Sequence, residues 1–183
     1  MNIFCHLQSP IGRLLLTSDG TALTGLYMEP SRKAQLTDGW AEDGTIPPLA
    51  AAVRQLTEYF AGTRREFDLP LRMLGTAFQQ RVWRELTEIR FGETLSYGEL
   101  ARRIGNPSAS RAVGLANGRN PISLIVPCHR VIGADGTLTG YGGGLPRKRW
   151  LLAHEGLGYI SGRVTENRAP VSSDLFAATA VPP

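Results

Sequence analysis

Apolar and polar positions near the start of the chain alternate with the period of a β-strand. In residues 3–7 the aliphatic side chains and Cys5 stand at every second position, which is the spacing of one face of a half-buried strand. Two further apolar runs, residues 14–17 and 23–27, flank an Asp-Gly dipeptide at 19–20 that is typical of a hairpin turn. The pattern predicts a β-meander with Cys5 in its core.

The period then changes to that of a helix. Two prolines at 47–48 suit the first turn of a helix, and the apolar residues after them recur at helical spacing. This stripe consists of Leu49, Val53, Leu56 and Phe60. Residues 67–69 predict one more strand, and the turn-forming segment 70–75 predicts a domain boundary. Residues 1–73 are therefore expected to form an α/β N-terminal domain.

Beyond this boundary the pattern is mainly helical. Thr76 can cap a helix with one apolar stripe, and Ser96 with Glu99 has the spacing of a capping box at the start of a second helix. An Asn-Pro break separates that helix from another that begins at Ser108. Two short helices joined by a few turn residues predict a helix-turn-helix. We therefore expect an α+β protein whose second domain, residues 74–160, is helical.

The second helix of this pair carries unusually small side chains. They are Ser110, Ala112, Gly114 and Ala116, and they leave Arg111 as the one long side chain near the helix start. A slim helix can approach DNA closely, and a protruding guanidinium can enter the space that a displaced base leaves. The same slimness would serve packing against a neighbouring element, with Arg111 in solvent. Residue chemistry alone leaves both interpretations open.

A cysteine with a histidine beside it is the strongest candidate for chemistry. The apolar run 122–126 predicts a buried strand that delivers Cys128 and His129. The thiolate is the reactive form of cysteine, and an imidazole can take the thiol proton near neutral pH. The alternative is that Cys128 is a small core residue, since adjacent side chains on a strand point to opposite faces.

A last helix is predicted to begin near Pro146 and to end at Gly156. Glu155 stands at its carboxyl end, where a negative charge opposes the helix dipole and needs a compensating partner; a histidine is a good candidate. Residues 161–183 are polar and end in Ala, Val and Pro, which predicts a flexible tail.

Composition narrows the class of protein. No apolar run approaches the length of a membrane span and no signal-peptide pattern opens the chain, so a cytoplasmic location is expected. Two cysteines make neither a disulfide framework nor a four-thiolate site, and we expect no metal and no cofactor.

The net charge of +4 is uneven, because residues 74–160 carry eleven Lys/Arg and six Asp/Glu. This surplus favours an anionic partner such as nucleic acid, although a modest surplus can also be a solvated surface.

Five motifs in a fixed order resemble the O6-alkylguanine-DNA alkyltransferases. They are Arg111-Ala112-Val113-Gly114, Asn120-Pro121, Pro127-Cys128-His129-Arg130-Val131, Gly140-Tyr141-Gly142-Gly143-Gly144 and Leu151-Leu152-Ala153-His154-Glu155-Gly156. The resemblance is closest over roughly residues 75–158, and Cys128 argues against the related proteins that bind lesions but lack the cysteine. It implies a ribonuclease-H-like α/β first domain and a winged-helix-like second domain that contains the helix-turn-helix.

The resemblance also implies catalytic roles for individual residues. Cys128 matches the alkyl acceptor, His129 matches the base that acts on it through a water, and Glu155 matches the carboxylate that holds the imidazole. Asn120 matches the residue that ties the turn before the cysteine. Tyr97 matches the tyrosine that helps to rotate the nucleotide and donates a hydrogen bond to the base.

The remaining implied roles concern DNA and the base pocket. Arg111 matches the arginine that fills the gap in the base stack, and the DNA-facing residues beside it are Ser110, Ala112, Gly114 and Tyr97. The pocket is implied to consist of the backbone of Cys128 and of Val131, Tyr141, Gly142 and Gly143. Gly142 stands where several relatives have Ser, so a side-chain contact is lost there.

The activity that the resemblance implies is direct reversal of O6-alkylguanine damage, extending to O4-alkylthymine. A monomer would bind double-stranded DNA and flip out the damaged nucleotide, and the sequence leaves open whether several molecules bind cooperatively. It would then transfer the alkyl group irreversibly to Cys128, one lesion per protein molecule. Two other classes would differ measurably: a helix-turn-helix regulator needs a dimer with long base-reading side chains, and a Cys-His hydrolase turns over.

Overall fold

The computed structural model describes residues 2–30, 36 and 38–166. The described residues form two compact units, the first built on segments within 2–74 and on 121–125, the second on residues 75–120 and 126–166. Among the helices that are described, none has the length and apolar character needed to cross a membrane.

The first unit contains a four-stranded sheet and one helix. Its elements are β1 (Ile3–Leu7), β2 (Leu14–Ser18), β3 (Leu23–Met28), β4 (Ala41–Glu42) and α1 (Pro47–Phe60). The strand order is β3-β2-β1-β4, with β1 and β4 parallel and the other neighbours antiparallel. The predicted meander and helix are confirmed. Cys5 is buried in the sheet, and α1 buries Leu49 and Leu56 completely.

The strand predicted at residues 67–69 is wrong. Only Leu71 near it forms a bridge, an isolated one with Leu23. The backbone of Asp68 is hydrogen-bonded by a helix side chain instead: Gln55 Nε2 donates to the Asp68 oxygen at 2.7 Å, and the Asp68 nitrogen donates to Gln55 Oε1 at 2.9 Å. A side chain of α1 therefore satisfies groups that a neighbouring strand would otherwise pair.

The second unit is mainly helical. Its helices are α2 (Ala77–Thr87), α3 (Tyr97–Arg103), α4 (Ser110–Gly118) and α5 (Leu145–His154), with short 3₁₀ turns at Pro107–Ala109 and Cys128–Arg130. Its strands are β5 (Leu95–Ser96) parallel to β6 (Val131–Ile132), and β7 (Leu157–Ile160) antiparallel to β8 (Arg163–Glu166). Thr76 caps α2, as predicted, and does so within a complete capping box that includes Gln79. The predicted capping box of Ser96 and Glu99 is also present. The first 3₁₀ turn joins α3 to α4, the predicted helix-turn-helix.

The apolar run at residues 122–126 is buried, but the prediction that it is a strand is wrong. Leu124 has a left-handed backbone with a φ of 71°, which a continuous strand cannot contain. The Ile125 nitrogen donates to the Ser123 oxygen at 2.9 Å, a turn between residues only two apart. Cys128 accordingly begins a 3₁₀ turn rather than ending a strand.

The flexible tail predicted from residue 161 begins too early. Residues 157–166 form the β7–β8 hairpin, and its two turn residues, Ser161 and Gly162, have φ values of 51° and 84°. Positive φ at both central positions is the geometry of the turn that best fits the twist of a hairpin, and glycine adopts it without steric cost. The remainder of the predicted tail, residues 167–183, lies outside the described residues.

Candidate active site

The turn that carries Cys128 is clamped by two asparagine side chains. Asn120 Nδ2 donates to the Val126 oxygen at 2.7 Å, and Asn117 Nδ2 donates to the Cys128 oxygen at 3.3 Å. Both asparagines are buried, and Cys128 itself is 5% exposed. Asn120 therefore ties the segment after α4 to the turn that precedes Cys128. Asn117 was not identified from the sequence, although an asparagine on the buried side of α4 was the available signal.

His129 and Glu155 are brought into direct contact. Glu155 is the residue at the carboxyl end of α5, and its Oε1 lies 2.8 Å from His129 Nε2. Both side chains are completely buried. The compensating histidine that the helix end required is thus present, contributed by a residue 26 positions earlier in the chain.

Arg130 is a second partner of the same carboxylate, and sequence reasoning missed it. Its Nε donates to Glu155 Oε2 at 2.8 Å and its Nη2 donates to Oε1 at 3.0 Å, while Nη1 donates to the Ile89 oxygen. A two-pronged arginine–carboxylate pair sets both position and orientation. The carboxylate is therefore held from one side by Arg130 and presents its remaining capacity to His129.

The charges in this cluster are set by burial and by these contacts. Burial lowers the pKa of His129 and outweighs the opposite effect of Glu155. Burial alone would raise the pKa of Glu155, but the contacts with His129 and Arg130 bring that pKa well below its usual range. Near neutral pH the carboxylate is ionised and the imidazole is neutral. A neutral ring that donates from Nε2 to the carboxylate has a lone pair at Nδ1, which can accept a proton.

Three buried polar atoms near Cys128 have no hydrogen-bond partner within the described structure. They are His129 Nδ1, Asn117 Oδ1 and the Tyr141 hydroxyl oxygen. His129 follows Cys128 in the chain, Asn117 is bonded to its carbonyl, and Cys128 contributes to the raised pKa of Tyr141, of which burial is the main cause. A buried polar group without a partner costs about 1–3 kcal/mol, so their concentration around one thiol favours a site for a polar ligand.

Lys148 is a buried cation beside this cluster that sequence reasoning also missed. Its Nζ donates to the Val131 oxygen at 2.6 Å and to the Thr139 oxygen at 2.9 Å. Burial lowers the pKa of Lys148 to about 8, against the opposing effect of Cys128. Its position three and four residues before the buried Leu151 and Leu152 placed it on the inner face of α5.

The glycine-rich loop predicted to line a pocket lies between Thr139 and the start of α5. Tyr141 is half-buried, Gly142 is exposed and Gly143 is half-buried. The Gly144 nitrogen donates to the Tyr141 oxygen at 2.9 Å, which closes a turn over these residues. Lys148 donates to the Thr139 oxygen at the start of this loop and to the Val131 oxygen, which links the two segments.

The predicted DNA-facing residues lie on α3 and α4. Tyr97 is the first residue of α3, and a Cβ added to Gly114 would lie 3.7 Å from its ring. Ser110 begins α4, and Arg111 and Ala112 are exposed. Gly114 therefore lies close to the Tyr97 ring, and Arg111 is exposed to solvent.

No group of three or more His, Cys, Asp or Glu side chains in the described part of the chain is arranged to hold a metal ion. Cys5 is buried in the other unit, where burial and the nearby carboxylates Glu42 and Asp43 raise its pKa to about 11.

Two sequence models of one known protein family match this chain. The sequence model for the DNA-binding domain of 6-O-methylguanine DNA methyltransferase matches residues 77–157, and that for its ribonuclease-like domain matches residues 4–73. Together they span most of the chain, which therefore belongs to the 6-O-methylguanine DNA methyltransferase family.

Individual relatives are similar over nearly their whole length. The methylated-DNA–protein-cysteine methyltransferase of Mycobacterium tuberculosis is 53% identical over 93% of this chain and 96% of its own. That of Haemophilus influenzae is 46% identical over 91% and 93%. The crystal structure of M. tuberculosis OGT in complex with DNA is similar with a TM-score of 0.78 and 54% identity, covering 84% of this chain and 92% of that one.

Proposed function

We propose that this protein repairs alkylated DNA by transferring the alkyl group from the O6 atom of guanine to Cys128. The observation that carries the proposal is a buried thiol whose sequence neighbour, His129, is held by Glu155 at 2.8 Å. Family membership supplies the substrate class, since relatives of similar length are named methylated-DNA–protein-cysteine methyltransferases.

The first step is activation of the thiol. The Cys128 proton passes to His129 Nδ1 through a bridging water. Such a water links the two side chains without direct contact between them. The resulting imidazolium is stabilised by the Glu155 carboxylate, which Arg130 keeps ionised and oriented. Lys148, whose charge favours a nearby anion, stabilises the thiolate that remains.

The second step is an in-line displacement. The sulfur of Cys128 forms a bond to the alkyl carbon while the bond from that carbon to guanine O6 breaks. The electron pair remains on guanine, which takes up one proton and returns to its ordinary form. The proton lost by the thiol and the proton gained by guanine balance, and the product is S-alkylcysteine. A thioether is a poor leaving group, so each molecule reacts once.

The base must leave the helix to reach a thiol that is 5% exposed. Flipping an O6-alkylated guanine costs less than flipping a sound base, because the lesion already weakens its pairing. We assign Tyr97 and Arg111 to this step: Tyr97 donates to the flipped base, and Arg111 occupies the gap in the stack. The guanine amine donates to backbone oxygens of Cys128 and Val131, and the loop at Tyr141–Gly143 covers the base.

Several further assignments belong to the same proposal. Residues 74–160 contain the alkyl acceptor and the DNA-binding helices, and residues 1–73 form a supporting domain. The protein acts as a monomer on double-stranded DNA, and O4-alkylthymine is a second substrate. Chromosomal DNA and a reduced thiol are both available in the cytoplasm, where we place its action.

Mass spectrometry of the reacted protein tests the proposal. After incubation with a duplex that carries O6-methylguanine, one methyl group is expected on the peptide that contains Cys128 and none on the Cys5 peptide. The amount of repaired base should equal the amount of modified protein. An unmodified Cys128 peptide with the lesion intact would refute alkyl transfer, and repair beyond one equivalent would indicate a hydrolase.

A further inference from the structure

The outer face of α4 and the residue that caps its carboxyl end carry a stripe of three long side chains that the proposed mechanism uses only in part. Arg111, Leu115 and Arg119 follow one another at four-residue intervals, and side chains four apart on a helix are neighbours. All three are exposed, and Leu115 is 66% exposed, a high value for a large apolar residue. The sequence analysis identified Arg111 as the one long side chain near the start of this helix and did not consider Leu115 and Arg119 further along it.

The orientation of this stripe is set by the inner face of the same helix. Val113, Ala116 and Asn117 are buried, and the Trp83 indole nitrogen donates to the Ala116 oxygen at 2.9 Å. Ala112 and Gly118, which flank the stripe, are exposed and small. The Arg-Leu-Arg stripe therefore projects beyond its surroundings, on a helix that cannot rotate without unpacking its core side.

The charge around the stripe identifies the kind of partner. Residues 100–129 contain four arginines and no aspartate or glutamate. Among the described residues, neither Arg111 nor Arg119 makes an ion pair, so both guanidinium groups are available to an external anion. The stripe thus places the apolar Leu115 between the cations Arg111 and Arg119. Along a groove of duplex DNA, apolar sugar edges alternate with phosphates, so the two surfaces are complementary.

We propose that Arg111, Leu115 and Arg119 form one DNA-contacting stripe in which Leu115 packs against deoxyribose and base edges and Arg119 neutralises a phosphate. Consecutive stripe positions are about 6 Å apart along the helix axis. This spacing corresponds to roughly two base-pair steps of 3.4 Å. The inference rests on the proposed function, which places Arg111 at the DNA. It adds Leu115, which contributes an apolar contact, and Arg119, which contributes a charge.

Salt dependence separates the two contributions. Binding of the full-length protein to an undamaged fluorescent duplex is measured by anisotropy at several salt concentrations. Leu115→Ala should weaken binding about fivefold at every concentration, because the leucine contributes apolar contact that salt does not screen. Arg119→Ala should lower the slope of log affinity against log salt by about 0.9, the value of one released counterion.

A matched control uses Ile160, which is also 66% exposed and lies on β7. Ile160→Ala should bind duplex with the affinity of the unchanged protein, and Leu115→Met should keep most of the contact. For Leu115→Ala, the loss of reaction with duplex should exceed any loss with free O6-benzylguanine. Unchanged duplex binding by Leu115→Ala, or an unchanged salt slope for Arg119→Ala, would overturn the proposal that these residues contact DNA. The binding measurements need no reaction, so they decide it even if no alkyl transfer is found.

Discussion

The two cysteines of this protein lie in regions that are alike in burial and opposite in electrostatics. Cys5 is 6% exposed and Cys128 is 5% exposed, and neither forms a disulfide. Cys5 lies in a sheet with two carboxylates nearby, and its pKa is raised to about 11. Cys128 has an imidazole as its sequence neighbour, a buried lysine close by and an amide bonded to its carbonyl. Burial alone therefore does not distinguish a core cysteine from a nucleophile; the neighbouring charges and hydrogen-bonding groups do.

Substituting each cysteine in turn tests this contrast, and it has the largest expected effect. Cys128→Ser should abolish methyl transfer from O6-methylguanine duplex, because a serine hydroxyl stays protonated where a thiol ionises. Cys5→Ala should retain the transfer rate, since the Cys5 thiol is kept protonated by burial and nearby acids. Both are measured as single-turnover rates of methyl transfer. Transfer by Cys128→Ser, or its loss in Cys5→Ala, would contradict the assignment.

Removing the charge of Glu155 should have the second largest effect, on both the methyl-transfer rate and the free energy of unfolding. Glu155→Gln removes the charge that stabilises the imidazolium, and we expect the transfer rate to fall about a hundredfold, within the range of general-base catalysis. It also leaves Arg130 as a buried charge without its carboxylate, at a cost of about 3–5 kcal/mol in the free energy of unfolding. Single-turnover rates and urea denaturation measure the two effects, with Glu93→Gln, an exposed carboxylate on the α2–β5 loop, as control. Equal behaviour of the two variants would contradict the role of Glu155.

Acidification should affect the region around Cys128 through His129. Its folded pKa lies below the unfolded value of about 6.5, so the folded protein binds fewer protons there and loses stability as pH falls below that value. Glu155 acts in the same direction at lower pH, since its depressed pKa gives stability that disappears as the carboxylate is protonated. The transfer rate should stay level from pH 8 through about 6.5 and fall only at lower pH, where the imidazole of the folded protein becomes charged. A rate that rises on acidification would exclude His129 as the base.

Removing the Asn117 amide should have the smallest effect. Asn117→Ala deletes one hydrogen bond to the Cys128 carbonyl, worth about 0.5–1.5 kcal/mol, and removes a buried oxygen that has no partner. The transfer rate should fall by roughly two- to tenfold, because the turn that aims the sulfur becomes looser. Thermal unfolding of the same variant serves as control, and a loss as large as that of Glu155→Gln would show that Asn117 acts directly on the reaction.

Local features of the sequence were enough to predict the helices that carry the site. The capping boxes at Thr76 and Ser96 and the glycine after Glu155 depend on residues a few positions apart, and all three are present in the structure. The pairing of a histidine with Glu155 followed from the need to compensate a charge at a helix end, and the family resemblance then identified His129.

The tertiary structure alone decided how the thiol is supported. Arg130 joins Glu155 across 25 positions and Ile89 across 41, and Lys148 reaches back to Val131. The run before Cys128 looked like a strand because it is apolar, yet the left-handed Leu124 and the two asparagine clamps make it a series of turns. Hydrophobic periodicity reports which positions are buried. Which distant donor meets a buried carboxylate or carbonyl depends on how the elements pack, and that information is not present in any short stretch of the chain.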